Sequence, residues 1–272
     1  MSGWRLALRA QPSLRIDARE LQPAVLARLA RAEVERVALR QGSSEIALAE
    51  LFDIEPIEGS MSTALVIEGD LSRFDCVGWS MTDGELQVQG SVGDCAGAAM
   101  AGGRITIEGD AADLTGCAMR GGWLDVRGDV GDLAASALPG EMDGMRGGTF
   151  VLRGNAGARL ADRMRRGSVV LFGDAGDFLA SRMVAGTLAL GGRCGVHPGW
   201  GMRRGSIVFA GPVPAVAPTF VPLQSDADVF WQLLARDLAR FGGPFATLAQ
   251  RRVRRLAGDL AVLGKGELLI PE

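Results

Sequence analysis

A 19-residue pattern recurs along the chain, and any fold proposed for the chain has to accommodate it. Its markers are methionines spaced 19 residues apart, with one step of 26. A glycine follows each methionine three residues later, and a second glycine follows nine residues later. Repetition at a fixed period is typical of proteins in which each unit stacks on the next. The marker methionines are Met81, Met100, Met119, Met145, Met164, Met183 and Met202.

Each unit carries a short strand. Apolar residues occupy the fifth and seventh places after the methionine, as in Ile105 and Ile107 or Leu124 and Val126, and alternation with a period of two predicts a strand. A lone strand of this length cannot bury one face, whereas stacked strands ~4.8 Å apart can. A βαβ crossover needs ~30 residues and does not fit the unit. The pattern therefore predicts a parallel β-helix of seven coils, begun by a degenerate eighth at residues 65–70.

Turn and core positions explain the other repeated residues. Glycine suits tight corners because it adopts positive φ at little cost. Equal phase places the seven methionines one above another, and a flexible thioether fills a core corner well, so they are predicted to form a structural ladder. Acidic or amide residues after the second glycine fit turn chemistry. A calcium ladder is the alternative, although calcium-binding nonapeptides space Gly and Asp differently. These turn residues are Asp70, Asp110, Asp129, Asn155 and Asp174.

Charge and hydropathy exclude several classes of protein. The net charge is only −3, which does not favour a general nucleic-acid surface. No apolar run approaches the ~20 residues of a membrane span, and the first residues lack a secretory pattern. A cytoplasmic protein without membrane partners is expected. Of the 29 Lys and Arg residues only Lys265 is a lysine, a bias typical of GC-rich bacterial genomes.

The four cysteines contain no CxxC pair. Cys76 and Cys95 stand 19 residues apart and should be neighbours on adjacent coils, whereas Cys117 and Cys194 fall at other phases. Buried thiols are expected in a reducing compartment. A disulfide between Cys76 and Cys95 stays open as an alternative.

Three segments can be drawn along the chain. Residues 1–58 alternate strand and helix signals and are predicted to form a small α+β cap, with one helix after Pro23 that extends to Leu29. Residues 59–211 hold the repeats. Residues 212–272 begin with a proline-rich extension and continue with a predicted helix at residues 226–241, which ends before Gly242. The two end segments should cover the exposed edges of the stack.

Catalytic motifs are scarce. His197 is the only histidine, which removes a multi-histidine metal site and leaves one candidate for any histidine-dependent triad. It lies in "CGVHPGWG", where a surface turn and a general base are the two interpretations. The GxG patterns recur in every unit, so they mark corners and not a nucleotide fingerprint. No catalytic, cofactor-binding or metal-binding residue is predicted.

Arginines cluster at one phase of the repeat. They follow the ladder methionines directly or one place later, so that equal phase should align them along one edge. Like charges ~5 to 10 Å apart repel unless water or an acidic partner intervenes. The edge is predicted to be solvated, to dock acidic surface of a partner subunit, or to contact a polyanionic carrier tail. The seven-residue excess at residues 137–144 lies near it. The candidate interface residues are Arg120, Arg146, Arg165, Arg166, Arg203 and Arg204.

The repeats and two flanking stretches together resemble a known family. The Met/Gly/Gly coils resemble the GXGXG solenoid shared by the carboxy-terminal domain of the glutamate synthase large subunit and by the C subunit of formylmethanofuran dehydrogenase. The stretches "LAELFDIEP" at residues 48–56 and "GDLAVLGKGELL" at residues 258–269 favour the second of these. The arginine-rich composition points to its bacterial members, the C subunits of formyltransferase/hydrolase complexes. The fold expected is mainly β, a right-handed parallel β-helix with an α+β N-terminal cap and a helical C-terminal segment.

The resemblance also implies a function. Such a complex moves a formyl group from formyl-tetrahydromethanopterin to a methanofuran-type carrier and hydrolyses it to formate. An amidohydrolase-like, metal-dependent subunit and a formyltransferase subunit would be the partners, and the carrier, tetrahydromethanopterin and the metal would bind outside this chain. The C subunit would be a non-catalytic scaffold. A detached glutamate-synthase-like domain and a β-helix enzyme acting on carbohydrate or acyl substrates are the alternatives.

Overall fold

The fold is mainly β, as the sequence predicts. The computed structural model describes residues 3–57, 63–223 and 228–272. The N-terminal part contains β1 (Gly3–Leu8), β2 (Ile16–Asp17), α1 (Pro23–Leu26), α2 (Arg31–Val34), β3 (Ala38–Gln41), β4 (Ser44–Ala47), α3 (Leu48–Leu51) and β5 (Phe52–Ile57). The repeats supply β6 (Ala64–Glu68), β7 (Phe74–Asp75), β8 (Glu85–Gln89), β9 (Arg104–Ile107), β10 (Trp123–Val126), β11 (Arg146–Leu152), β12 (Arg166–Leu171), β13 (Thr187–Leu190) and β14 (Ser206–Phe209). The C-terminal part contains β15 (Val221–Pro222), α4 (Asp228–Ala239), β16 (Val253–Gly258) and β17 (Gly266–Pro271), with 3-10 turns at Gly243–Phe245, Leu248–Gln250 and Leu260–Val262.

One large sheet runs through the molecule. It has 13 strands in the order β15-β16-β17-β14-β13-β12-β11-β10-β9-β8-β6-β1-β5. The repeat strands pair in parallel and in register, so that Ile105, Leu124 and Phe150 are neighbours on successive strands. A second row of parallel bridges runs from Leu71 through each repeat to Cys194. Each repeat therefore contacts the one before it at two separate places.

The seven marker methionines lie in the core. All of them have 0% exposure, and thioethers along the ladder reach the glycine that opens the strand of the following repeat. A Cβ added to Gly122 would lie 2.7 Å from Cε of Met100, and the φ of Gly122 is 79°. Glycine is required there for two independent reasons, because a side chain would strain the backbone and also displace the methionine.

Aspartate side chains bind the backbone of the next repeat. Oδ1 of Asp110 accepts a hydrogen bond of 2.8 Å from the N–H of Asp129, and Oδ1 of Asp129 accepts one from Asn155. The position that precedes Asp129 must be glycine, because a Cβ on Gly128 would overlap the Asp110 carboxylate. A second ladder of the same kind runs through Asp75, Asp94, Asp113, Asp132 and Asp177. These carboxylates accept hydrogen bonds from backbone N–H groups at the turns that would otherwise have no acceptor.

The second aspartate ladder supports a quantitative prediction. Asp113→Ala should lower the free energy of unfolding by about 1 kcal/mol, because the N–H of Asp132 loses its 2.8 Å acceptor. Asp113→Asn keeps an acceptor oxygen and should lose less than half as much. Urea denaturation of the two variants measures the difference, and equal losses would show that the carboxylate acts through its charge and not through this hydrogen bond.

Both ends of the stack are covered by the terminal segments. At the start, β1 pairs in parallel with β6 and antiparallel with β5. At the end, β17 pairs in parallel with β14 and antiparallel with β16. A small four-stranded sheet, β4-β3-β2-β7, lies beside the first repeat. The predicted segment boundary at residues 58 and 59 lies outside the described residues.

The helix predicted from Pro23 to Leu29 is wrong in length. The α-helix α1 ends at Leu26, and the chain continues in a turn to Leu29. A new helix then begins at Arg31, because the Glu33 carboxylate accepts a 2.7 Å hydrogen bond from the N–H of Ala30. This local cap competes with continuation of the first helix.

The C-terminal helix covers the outer face of the sheet. Trp231, Ala235 and Leu238 of α4 are buried against Val170 and its equivalents in β13 and β14. The Trp231 indole donates a 2.8 Å hydrogen bond to the Arg251 carbonyl, which ties the helix to the segment before β16. The predicted helix start at residues 226 and 227 lies outside the described residues. None of the described helices has the length and apolar character that crossing a membrane requires.

Candidate functional site

The arginines predicted to align do share one side of the stack. We call Arg120, Arg146, Arg165, Arg166, Arg203 and Arg204 the arginine edge. The backbone N–H of Arg165 donates to the Met145 carbonyl at 2.8 Å, and that of Arg203 donates to Met183 at 2.7 Å. The same bond recurs at Arg120 and Arg146, so each of these arginines leaves the backbone at an equivalent point. All members of the edge except the half-buried Arg146 are exposed.

A shallow depression lies within the arginine edge. It has a volume of about 400 Å³ and is lined by Arg165, Arg166, Arg203 and Arg204 around Val184 and Ala185. The small residues of the intervening repeat form its floor, since Val184 and Ala185 stand where the neighbouring repeats carry arginine pairs. No carboxylate is among its lining residues. The depression therefore presents concentrated positive charge above an apolar floor.

The inserted loop neutralises part of the edge. Arg146 lies 3.6 Å from Glu141 and 3.8 Å from Asp143, and Arg165 pairs with Asp143 as well. The other four edge arginines form no ion pair with any residue in the described ranges 3–57, 63–223 and 228–272. Three of these four arginines, Arg166, Arg203 and Arg204, line the depression together, so unpaired positive charge is concentrated there.

A larger cleft adjoins the depression. Its volume is about 440 Å³, and Arg165, Val184 and Arg203 belong to both. The indole of Trp200 is half exposed in the cleft. The remaining lining residues are Met142, Asp143, Arg163, Arg182, Gly201, Asp259, Ala261 and Val262.

Buried polar contacts hold the wall of this cleft. Asp162 is 4% exposed and binds Arg182 through two hydrogen bonds, of 3.0 Å from Nε and 2.6 Å from Nη2. The Ser181 hydroxyl donates a further bond of 2.5 Å to the same carboxylate. The two parallel bonds between the guanidinium and the carboxylate fix the Arg182 side chain in one orientation.

The carboxylate of Asp259 is also held by hydrogen bonds. Burial raises the pKa of this carboxyl, but hydrogen bonds from Thr219 and from the N–H groups of Gly201 and Ala261 lower the pKa overall. The two backbone bonds are each 3.0 Å long. Its ionised oxygens therefore fasten the C-terminal turn to the repeats.

His197 stands apart from other reactive groups. It is exposed on a turn with φ of 60°, and its ring centroid lies 5.2 Å from that of Phe178. The part of the chain that the structure describes contains no group of three or more His, Cys, Asp or Glu side chains placed to hold a metal ion. Asp110, Asp129 and Asp174, for which calcium was the alternative, point their oxygens at backbone N–H groups.

Sequence reasoning missed two of the four arginines that line the cleft. Arg163 and Arg182 line the cleft from the positions immediately before Met164 and Met183, whereas only arginines after the methionines entered the prediction. The signal was available, because the same residue type recurs at that phase in two successive repeats. No sequence pattern indicated that Asp259, Ala261 and Val262 would also line the cleft. Their position depends on the pairing of β17 with β14, which brings the C-terminal turn back to the repeats.

Comparison with known proteins agrees with the repeat pattern. The GXGXG motif family matches residues 45–216. The C subunit of the formyltransferase/hydrolase complex Fhc of Methylorubrum extorquens is 48% identical over 54 residues, which are 20% of this chain and 20% of that protein. The C subunit of the tungsten-containing formylmethanofuran dehydrogenase 2 of Methanothermobacter thermautotrophicus is 32% identical over 94 residues, 34% of this chain and 35% of that protein. The matched segments thus span about a third or less of these curated relatives.

A solved structure matches over nearly the entire length. A chain in the crystal structure of the formyltransferase/hydrolase complex FhcABCD from Methylorubrum extorquens with methylofuran superposes with a TM-score of 0.90 at 39% sequence identity. The alignment covers 98% of this chain and 99% of that one. The chain therefore belongs to the GXGXG family, and within it to the relatives of the C subunit of formyltransferase/hydrolase complexes.

Proposed function

We propose that the chain is a non-catalytic subunit of a formyltransferase/hydrolase complex. The observation that carries the proposal is the match to a chain of the M. extorquens complex over 98% of the sequence at 39% identity. Such a complex moves a formyl group from formyl-tetrahydromethanopterin to a methanofuran-type carrier and then hydrolyses it to formate. In the proposal the chain acts in the cytoplasm, together with the other subunits.

The scaffold role follows from how the fold uses its polar groups. The aspartates of each turn accept backbone N–H groups of the next repeat, as Asp110 does from Asp129 at 2.8 Å. Side chains engaged in this way are not free for acid–base work. The proposed architecture is a right-handed parallel β-helix of seven to eight coils, supported by the two rows of parallel pairing that link successive repeats.

The catalytic steps belong to other subunits. An amidohydrolase-like subunit with a metal would hydrolyse the formyl carrier, and a formyltransferase subunit would load it. Neither the carrier nor tetrahydromethanopterin binds to this chain in the proposal. Its contribution is a rigid rod whose arginine edge docks acidic surface of a catalytic subunit, steered by the charge around the depression.

Purification from the native cell tests the proposal. A tagged chain should co-elute with an amidohydrolase-like subunit and a formyltransferase subunit in fixed stoichiometry. Co-elution with glutamate synthase partners would instead support a detached domain of that enzyme. Hydrolysis of a carbohydrate or acyl substrate by the isolated chain would support a β-helix enzyme and contradict the scaffold role.

The lone histidine gives a sharper prediction on activity. His197→Ala in the assembled complex should leave formate production within about twofold of wild type, because the exposed ring packs beside Phe178 and forms no side-chain hydrogen bond with an acid or a nucleophile among the residues that the structure describes. Steady-state turnover of the purified complex measures this. A loss of more than about a hundredfold with assembly intact would identify His197 as a catalytic residue.

A further inference from the structure

Cys76 and Cys95 occupy the same turn of two successive repeats. Their φ angles are 62° and 61°. The backbone N–H of Cys76 donates to the backbone carbonyl of Asp94 at 2.7 Å, and that of Cys95 donates to the carbonyl of Asp113 at 2.8 Å. Because the backbone is the same in both layers, the two side chains project in one direction and the two Cα atoms are separated by the ~4.8 Å spacing of paired strands. That spacing falls within the Cα separation of ~4.4 to 6.8 Å that a disulfide spans.

The same turn position carries other residues in the later repeats. Leucine, arginine, phenylalanine and histidine follow the two cysteines, each with φ between 59° and 62°. A non-glycine residue in this conformation is uncommon, and four other residue types adopt it here, so backbone geometry does not demand cysteine. Two thiols stand side by side at this turn only in the layers of Cys76 and Cys95.

A cation lies beside the pair. The Arg19 guanidinium lies close enough to Cys76 to lower the pKa of its thiol, and it stacks on the Trp79 ring at 4.5 Å from its centroid. Stacking holds the guanidinium in place as a fixed positive charge. Cys76 is 7% exposed, whereas Cys95 is partly open to solvent, so a small oxidant can reach the pair from that side.

These neighbours shift the pKa values of the two thiols in opposite directions. The Cys95 thiol and the Arg19 guanidinium lower the pKa of Cys76 to about 7, against the opposing effects of burial and of Asp17. The neighbouring Cys76, burial, Cys117 and Asp94 all raise the pKa of Cys95. Of the two thiols, Cys76 therefore loses its proton more readily than Cys95.

The other two cysteines, Cys117 and Cys194, have different surroundings. Burial raises the pKa of Cys117 to about 11, and burial alone raises that of Cys194 to about 11. Neither pKa is lowered by a neighbouring cation. Cys194 is also partly exposed, which makes it the matched control for the pair.

We propose that Cys76 and Cys95 form a peroxide-oxidised dithiol that cross-links two adjacent repeats. The Cys76 thiolate attacks one oxygen of a peroxide, the O–O bond breaks, and Cys76 becomes a sulfenic acid while the other oxygen leaves as hydroxide or alkoxide and takes a proton. The Cys95 sulfur then attacks the sulfenic sulfur, and its thiol proton leaves with the hydroxyl as water. Two thiols and one hydrogen peroxide thus give one disulfide and two waters.

The consequence of oxidation is local. The cross-link closes a loop of one repeat at the first layers of the stack, where β8 and β9 pair. It also replaces the thiolate that lies beside Arg19, while the stacking of Arg19 on Trp79 remains. A dithiol reductant reverses both changes.

Thiol alkylation on the full chain tests the asymmetry first. Cys76 should react with iodoacetamide at pH 7 faster than Cys194, although it is the more buried of the two, since its larger thiolate fraction outweighs both its lower access and the lower nucleophilicity of a less basic sulfur. The rate at Cys76 should fall about fivefold from pH 7 to pH 6, as the thiolate is protonated below its pKa. Equal rates at Cys76 and Cys194 would overturn the proposal.

Peroxide treatment then tests the cross-link. Mass spectrometry of non-reduced peptides should show a Cys76–Cys95 linkage that dithiothreitol removes, in wild type and in Cys194→Ser alike. Cys95→Ser should accumulate a sulfenic acid at Cys76 that dimedone traps, whereas Arg19→Gln should slow linkage with the fold unchanged by circular dichroism. The proposal would be refuted if peroxide produced no Cys76–Cys95 linkage in the wild type and instead oxidised methionines or converted Cys76 to a sulfinic acid.

Discussion

Replacing Met119 by aspartate is expected to lower the free energy of unfolding by about 4 kcal/mol. The Met119 side chain is fully buried, and its Cε approaches Gly148 of the next repeat so closely that a Cβ there would be 2.7 Å away. A carboxylate in that position would be buried within the apolar core, where an uncompensated charge is costly. The melting temperature and the urea midpoint of the variant measure the loss.

Met142 supplies the matched control. Its side chain is 74% exposed in the inserted loop, so Met142→Asp should change stability by less than about 0.5 kcal/mol. Met119→Leu should cost about 1 kcal/mol, because volume and apolar character are nearly kept. A melting temperature for Met119→Asp equal to that of Met142→Asp would show that the methionine ladder does not carry the core.

Charge reversal along the arginine edge should have the second large effect. Changing Arg166, Arg203 and Arg204 to glutamate should weaken binding to the other subunits of the proposed complex by at least about tenfold, because like charges then face each other across the interface. If the residual contacts are ionic, the remaining binding of the variant should weaken further as salt is raised. Co-purification and a titration of binding at two salt concentrations measure both changes.

A second triple variant separates docking from folding. The same reversal at exposed arginines of the N-terminal part should leave assembly intact, and both triple variants should keep the melting temperature of the free chain within a few degrees. Undiminished assembly of the edge variant would move the interface to the opposite face or to the terminal segments. The control positions are Arg28, Arg36 and Arg40.

The repeat period alone was enough to predict the parallel stack. Residues at one phase of a 19-residue unit must lie above one another once the strands pair in register, so Ile105, Leu124 and Phe150 could be aligned from the sequence. The seven methionines are buried at 0% exposure for the same reason. Phase is a local property of the sequence, and no long-range contact had to be guessed.

The sequence also indicates that the outer face of the sheet is covered in the later repeats. Strands β8 and β9 alternate polar and apolar residues, whereas "SVVL", "TLAL" and "SIVF" in β12 to β14 carry apolar residues on both faces. A strand apolar on both faces must be covered on both. Helix α4 provides that cover, with Trp231 and Leu238 packed against Val170.

Other features depend on contacts that no local pattern encodes. Arg19 reaches Cys76 from a segment before the repeats, and Asp259 reaches Gly201 across 58 residues. The candidate cleft combines Trp200 with that C-terminal turn. Sequence phase could place each residue within its own element, but the approach of the ends to the stack is set by packing of β1 on β6 and of β17 on β14.

Substitution of this chain into the M. extorquens complex tests the scaffold role most directly. The other subunits of that complex, produced without their own C subunit, should assemble with this chain and release formate from formyl-tetrahydromethanopterin at a rate within about tenfold of the native complex. The isolated chain should release none. Formate release by the isolated chain, or full activity of the other subunits whether or not this chain is bound, would contradict a non-catalytic structural subunit.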